Sequence, residues 1–172
     1  MPGHLQEVAA KVMGKAKVAK GAIEGLSGIF TTLMEEHGHV AALMMRLKGS
    51  ADVALRRTLW PKIRAELLSH EQGELLVLYP VYRAHPELAQ IAAAHERDAT
   101  QLTALIDELD TTDMTHALWG ERFAGLVQAV QRHVKDEERD FFREGNRVFG
   151  SQNKALDAQF KRTKQRALDE LT

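Results

Sequence analysis

Residues 60–81 read WPKIRAELLSHEQGELLVLYPV, and this stretch decides the fold. Trp60, Ile63, Leu67, His70, Glu74, Val77 and Val81 recur at threes and fours, the spacing of a helix that buries one stripe. Midway along that stripe, where leucine or valine would be expected, stand His70 and Glu74. Residues four apart share a helix face, so both polar groups point where the apolar ones point. An unpaired buried polar group costs about 1–3 kcal/mol, and a lone buried carboxylate far more. Something in the core has to satisfy this pair.

Three further stripes flank it. One runs Leu26, Phe30, Leu33, His37, Val40, Met44, Leu47; another runs Leu88, Ala92, His95, Ala99, Leu102, Ile106, Leu109. The last runs Trp119, Phe123, Leu126, Val130, His133, Glu137, Phe141, and repeats the histidine-then-glutamate step. Strand-like alternation is absent, and Ala, Leu, Glu, Arg and Lys dominate. The fold class is therefore all-α: an up-down-up-down four-helix bundle with extra N- and C-terminal helical segments.

Punctuation supports four helices. Asp52 follows Gly49-Ser50 and is a candidate N-cap, Ala84-His85-Pro86-Glu87 stops one helix and starts the next with Pro86 near its first turn, and Thr111-Thr112-Asp113 is a polar cap cluster. Gly145, Gly150, Ser151 and Asn153 mark a break near the end. The expected division is an amphipathic extension over residues 1–25, the bundle over 26–150, and a C-terminal helix over 151–172 packed on the bundle. In the extension Leu5, Val8, Val12, Ala16, Ala19 and Ile23 share a face; in the tail Leu156, Phe160, Ala167 and Leu171 do. Each packs on the bundle or pairs with a second copy of the chain, which would give a homodimer.

One register problem is visible. His37 lies much closer to the end of its helix than His70 lies to the start of the next, a mismatch of about 12 Å. Either the first helix runs on past Gly49, or Pro61 kinks the second and residues 52–59 form a separate turn.

The 172 residues, 44% hydrophobic and 27% charged, suffice for one domain with a core. A net charge of −1 argues against a nucleic-acid binder. The lack of cysteine excludes a disulfide scaffold, a thiol nucleophile, a Cys-type zinc finger and an iron–sulfur cluster. No segment has the ~20 apolar residues that span a bilayer, and the lysine-studded N-terminus lacks the apolar core of a secretory signal. The expectation is a cytoplasmic protein without membrane contact.

Six polar groups on four helices point into one core. His–Glu hydrogen-bond pairs are the plain alternative, but a cation satisfies all six at once. Imidazole and carboxylate without thiolate suit iron, manganese or zinc, and six ligands exceed a tetrahedral zinc site. Two carboxylates able to bridge make a dinuclear centre the economical arrangement. Rival motifs fail: His70-Glu71-Gln72-Gly73-Glu74 has glutamate where a zincin has its second histidine, and E-x-x-H occurs once, at Glu36…His39.

MEEHGHV around His37, SHEQGELLVLYP around His70 and Glu74, AHERDATQL from His95, and RHVKDEERDFF around His133 and Glu137 together resemble the hemerythrin-like HHE cation-binding family, over roughly residues 26–166. The resemblance implies a four-helix bundle with two non-haem iron ions bridged by carboxylates and liganded by His37, His70, Glu74, His95, His133 and Glu137. It implies binding of, or reaction with, peroxide, O2 or NO. Oxygen-carrying members have a further histidine one turn after that of the third helix; here Ala99 stands there. This ranks catalase-like peroxide decomposition, or sensing, above oxygen storage. A non-enzymatic iron, oxygen or redox sensor at the same site is the alternative. Glu71 and His39 are candidates for the missing ligand, and Glu138 for the carboxylate that such members place five residues after the fourth-helix histidine. His4, His85 and His116 are read as bystanders, and Tyr79 and Tyr82 as core or rim packing.

Overall fold

Two helices begin at a residue whose side chain caps them. Asp52 accepts from the backbone N–H groups of Ala54 and Leu55 at 2.9 and 3.1 Å, satisfying two donors that a helix start leaves open. His116 caps another helix with its ring, Nδ1 accepting from Leu118 N–H at 3.2 Å. The computed structural model describes residues 2–172, with side chains from Lys11 onward; Leu5, Val8 and His4 lie outside the described side chains. The helices are α1 (Pro2–Ile23), α2 (Ile29–Leu47), α3 (Val53–Arg83), α4 (Ala89–Asp110), α5 (Ala117–Asp136), α6 (Phe142–Phe149) and α7 (Asn153–Leu171). A π-helical turn, Glu137–Phe141, joins α5 to α6 without a break.

α2 to α5 form the expected bundle. Neither solution offered for the register problem holds: α2 stops at Leu47, and α3 is one helix through Pro61 and Pro80. Lys48 and Asp52 have extended backbone, so the connection carries the chain beyond the end of α2 before α3 turns back. Within it the chain turns once, with Ser50 N–H bonded back to the Leu47 carbonyl at 3.1 Å and Gly49 at φ +77°. The prolines are tolerated because both lie on the exposed face. Arg57 and Leu76, whose carbonyls they leave unpaired, are exposed too, so water serves them.

Two smaller expectations change. Pro86 lies in the turn before α4, not in its first helical turn. Gly145 is not a break: it sits inside α6, where a Cβ would fall 1.8 Å from the Tyr82 hydroxyl oxygen. The helix ends at Gly150, whose φ of +46° suits glycine.

The four stripes face inward, with Val81 and Ala99 half-buried and the rest buried. They form two apolar clusters. One holds Phe30, Tyr79, Tyr82, Phe141 and Phe142; the other holds Met44, Trp60, Ile63, Trp119 and Phe123. Burying each such side chain is worth about 1.5–3 kcal/mol, which sets the bundle against the cost of the histidine layer between the clusters. The terminal helices pack on the same chain, α1 along α2 and α7 chiefly along α3. Phe160 of α7 is fully buried and meets the His70 ring edge-on at 5.9 Å.

Candidate metal centre

His37, His70, His95 and His133 reach the layer from α2, α3, α4 and α5, and all four are buried. Glu74 and Glu137 join them with no exposed surface. All six residues singled out in the sequence are thus brought together.

The arrangement has two halves. In the first, His37 Nε2 lies 3.3 Å from His70 Nε2 and 3.3 Å from Glu137 Oε2. In the second, His133 Nε2 lies 3.2 Å from Glu137 Oε1 and 3.2 Å from Glu71 Oε1. Glu137 therefore turns one oxygen toward each half. Glu74 also belongs to both: Oε1 is 3.7 Å from His70 Nε2, and a carboxylate oxygen shares a cluster with Glu71 and His133. His95 sits beside His133, with ring centroids 5.8 Å apart, and clusters with it and Asp98.

The carboxylate approaches are close without being hydrogen bonds, whereas the Nε2 atoms of His37 and His70 stand at hydrogen-bond distance. Both oxygens of Glu74, both of Glu137, and both ring nitrogens of His133 are buried with no hydrogen-bond partner. Donor atoms of His37, His70 and Glu137 lie within 4.8 Å of one another, as do those of Glu71, Glu74 and His133. Bonds of ~2.0–2.2 Å from one cation nearly span such a gap. Lone pairs facing lone pairs in a dry core are costly unless a cation stands between them. The donor set, nitrogen and carboxylate oxygen only, fits a pair of borderline or hard cations such as iron.

The electrostatics of the chain alone show the same strain. Burial raises the Glu74 carboxyl well above its ordinary value, and the nearby charges of Glu137 and Glu71 raise it further. Burial would raise Glu137 too, but His133 and His37 outweigh it and hold that carboxyl well below the ordinary range. Burial opposes the charged form of His133, yet Glu137 and Glu71 push it up to about 12. His95, with no carboxylate so close, is lowered by burial.

The three extra candidates separate. Glu71 reaches the second half, as the distance to His133 shows. Glu138 turns away from the shared centre: it accepts at 3.1 Å from the outer nitrogen of His37, Nδ1, and pairs with Lys17 and, at 3.4 Å, Lys20. His39 is half-buried on another side of α2, bordering a polar cavity with Lys161 and Lys164. The π turn explains the division of adjacent glutamates. One extra residue in the helical turn lets Glu137 and Glu138 both be buried while facing different partners, and likewise Phe141 and Phe142.

Sequence reasoning missed three participants. Glu36 accepts from His70 Nδ1 at 2.8 Å, Lys164 of α7 grips Glu36 at 2.9 Å and Glu66 at 2.8 Å, and Asp98 stands one turn after His95. Burial would raise Glu36, but His70 and Lys164 bring it down to about 2. Tyr82 is core, donating to the Phe141 carbonyl at 2.6 Å, and Tyr79 is buried with its hydroxyl unpartnered. Among the described residues no helix is long and apolar enough to cross a membrane.

Comparison with curated proteins and with solved structures yields no match. The family model described as the hemerythrin HHE cation binding domain matches residues 28–144, which begin just before α2, end within α6 and include every residue of the buried cluster, so the chain belongs to that family.

Proposed function

We propose that the cluster holds two iron ions and that the protein binds or reacts with a small oxygen species: peroxide, O2 or NO. The observation that carries this reading is the state of Glu74 and Glu137, whose four carboxylate oxygens are fully buried, unpartnered and set between two histidine groups. His37 and His70 would hold one cation and His95, His133 and Glu71 the other, with Glu74 and Glu137 shared. When bound, an iron pair supplies a Lewis-acidic, redox-active centre.

The chain's own residues shape what can happen there. Ala99 is too short to ligate, and a cavity of about 390 Å³ lies beside it, lined also by Glu71 and Tyr79. A molecule of two or three atoms fits this space. Glu71 Oε2 is buried without a partner, so it is the atom placed to take or give a proton at that edge. The apolar clusters on either side limit water, which strengthens every charge interaction in the layer.

The test is metal stoichiometry followed by reactivity. Protein prepared without oxygen and given saturating ferrous iron should bind two irons per chain; fewer than about 1.5 at saturation overturns the pairing, since each half brings its own donors. Adding O2, peroxide and NO in turn should change the visible spectrum. Sustained oxygen release from peroxide marks a catalase-like enzyme. A single spectral change without turnover marks the sensor reading.

A further inference from the structure

A second cavity, of about 470 Å³, lies outside the cation cluster, between α1, α2 and α5. Its two ends differ. Met44, Met45, Val127 and Val130 make one end aliphatic, and Met45 is half exposed there. Lys17, Lys20, Lys135, Arg139 and Arg143 line the other, with Glu24 and Glu138 the carboxylates of the lining among the described residues. Lys17 and Lys20 are engaged with Glu138, and Arg139 with Asp136 and Asp140. Lys135 and Arg143 are exposed and form no direct ion pair among the described residues, although Asp140 lies within electrostatic reach of Arg143. A chain of net charge −1 thus gathers an excess of cations around one end of one apolar trough.

The geometry points to a binding site for an aliphatic carboxylate, a free fatty acid, with its head between Lys135 and Arg143 and its tail over Met44, Met45 and Val127. The volume lies within the ~300–1,000 Å³ usual for small-molecule sites. The lining selects the class. Among the described residues no Phe, Tyr or Trp lines it, the His37 ring at its edge is already stacked on Phe142 and held by Glu138, and Gln131 is the one amide or hydroxyl side chain able to pair with sugar hydroxyls. Unbranched methionines adapt to a flexible hydrocarbon chain, and lysine and arginine side chains on one rim suit an anionic head. His37 borders the cationic end, so an occupant would lie over the first half of the cluster.

Calorimetry of the full chain with dodecanoate reads this site without reference to a bound cation. Saturable binding of one dodecanoate per chain is expected, with butanoate and dodecanol at least tenfold weaker. Lys135→Glu combined with Arg143→Glu, and separately Met45→Gln, should each weaken dodecanoate at least tenfold; these are exposed positions, and circular dichroism should show unchanged helix. Absence of saturation, dodecanol binding as tightly as dodecanoate, or unchanged affinity in either variant overturns the proposal. So does capture of the chain by phosphatidylglycerol vesicles without binding of dissolved dodecanoate, which would assign the cations to a lipid surface.

Discussion

The two halves of the buried cluster use the same residue types and are held in different ways. In the first half, each histidine has its outer nitrogen anchored: His37 Nδ1 by Glu138 at 3.1 Å and His70 Nδ1 by Glu36 at 2.8 Å. Each of those carboxylates is gripped by lysines, Lys17 and Lys20 from α1 and Lys164 from α7. In the second half, Nδ1 of His95 and Nδ1 of His133 are buried without any partner. The first pair has its rings oriented by the chain alone. The second has no such partner to set its ring angles. Every anchoring lysine comes from outside residues 28–144, so the terminal helices do more than cover the bundle: they set one half of its centre. A partner on the far nitrogen fixes tautomer and ring angle and raises ligand basicity, so the first half should bind its cation more tightly.

The largest effect should come from the groups the halves share. Glu137→Ala removes the carboxylate that faces both, and should abolish binding of both cations together, read as metal content of the purified chain. Retention of one full equivalent would show that the halves are independent. Next in size is Glu71→Gln, which touches only the second half. Of two steps in a metal titration, the weaker should be lost and the tighter kept. Loss of the tighter step would invert the comparison.

Glu36→Gln tests the anchoring itself. It leaves every cation-facing atom in place and removes the negative charge that faces the His70 outer nitrogen and Lys164. The tighter step should weaken about 10–100-fold, the usual consequence of losing an outer partner, while the weaker step holds. The same variant has a pH signature in the metal-free chain. Glu36 sits at about 2, against an ordinary 4.5. A depressed carboxyl contributes stability that is present above 4.5 and lost as pH falls toward 2. The stability advantage of wild type over the variant in urea melts should therefore shrink across that window. An advantage constant with pH would mean that Glu36 contributes through packing and not charge.

The difference between the halves also marks what the sequence could reveal. The bundle and the six inward polar groups were legible because periodicity of three and four carries a residue's direction, and four stripes each broken by histidine share one pattern. The anchors were not, because they lie off the stripes. Glu36 is beside His37 in sequence but serves His70 on another helix, and Lys164 reaches Glu66 across 98 positions. Long charged side chains that cross between helices leave no periodic trace. The π turn left a faint one: Glu137-Glu138 and Phe141-Phe142 are adjacent pairs of one kind, and an ordinary helix cannot bury both members on one face. The cap at His116 was hidden because histidine is not among the usual capping residues.

The smallest effect concerns α3, which carries donors to both halves. Asp52 caps that helix about 25 Å from His70, and Asp52→Ala should cost about 1 kcal/mol of stability, as caps with two backbone contacts usually do. Trp60 and Ile63, both buried, hold the helix between the cap and the histidine, so fraying at the start should end before it reaches the cluster. Both steps of the metal titration should then match wild type, with only the thermal melt shifted. If the tighter step weakened along with the melt, the ring of His70 would owe its position to the whole length of α3 and not to Glu36. The contrast between an anchored and an unanchored half would then lose its cause.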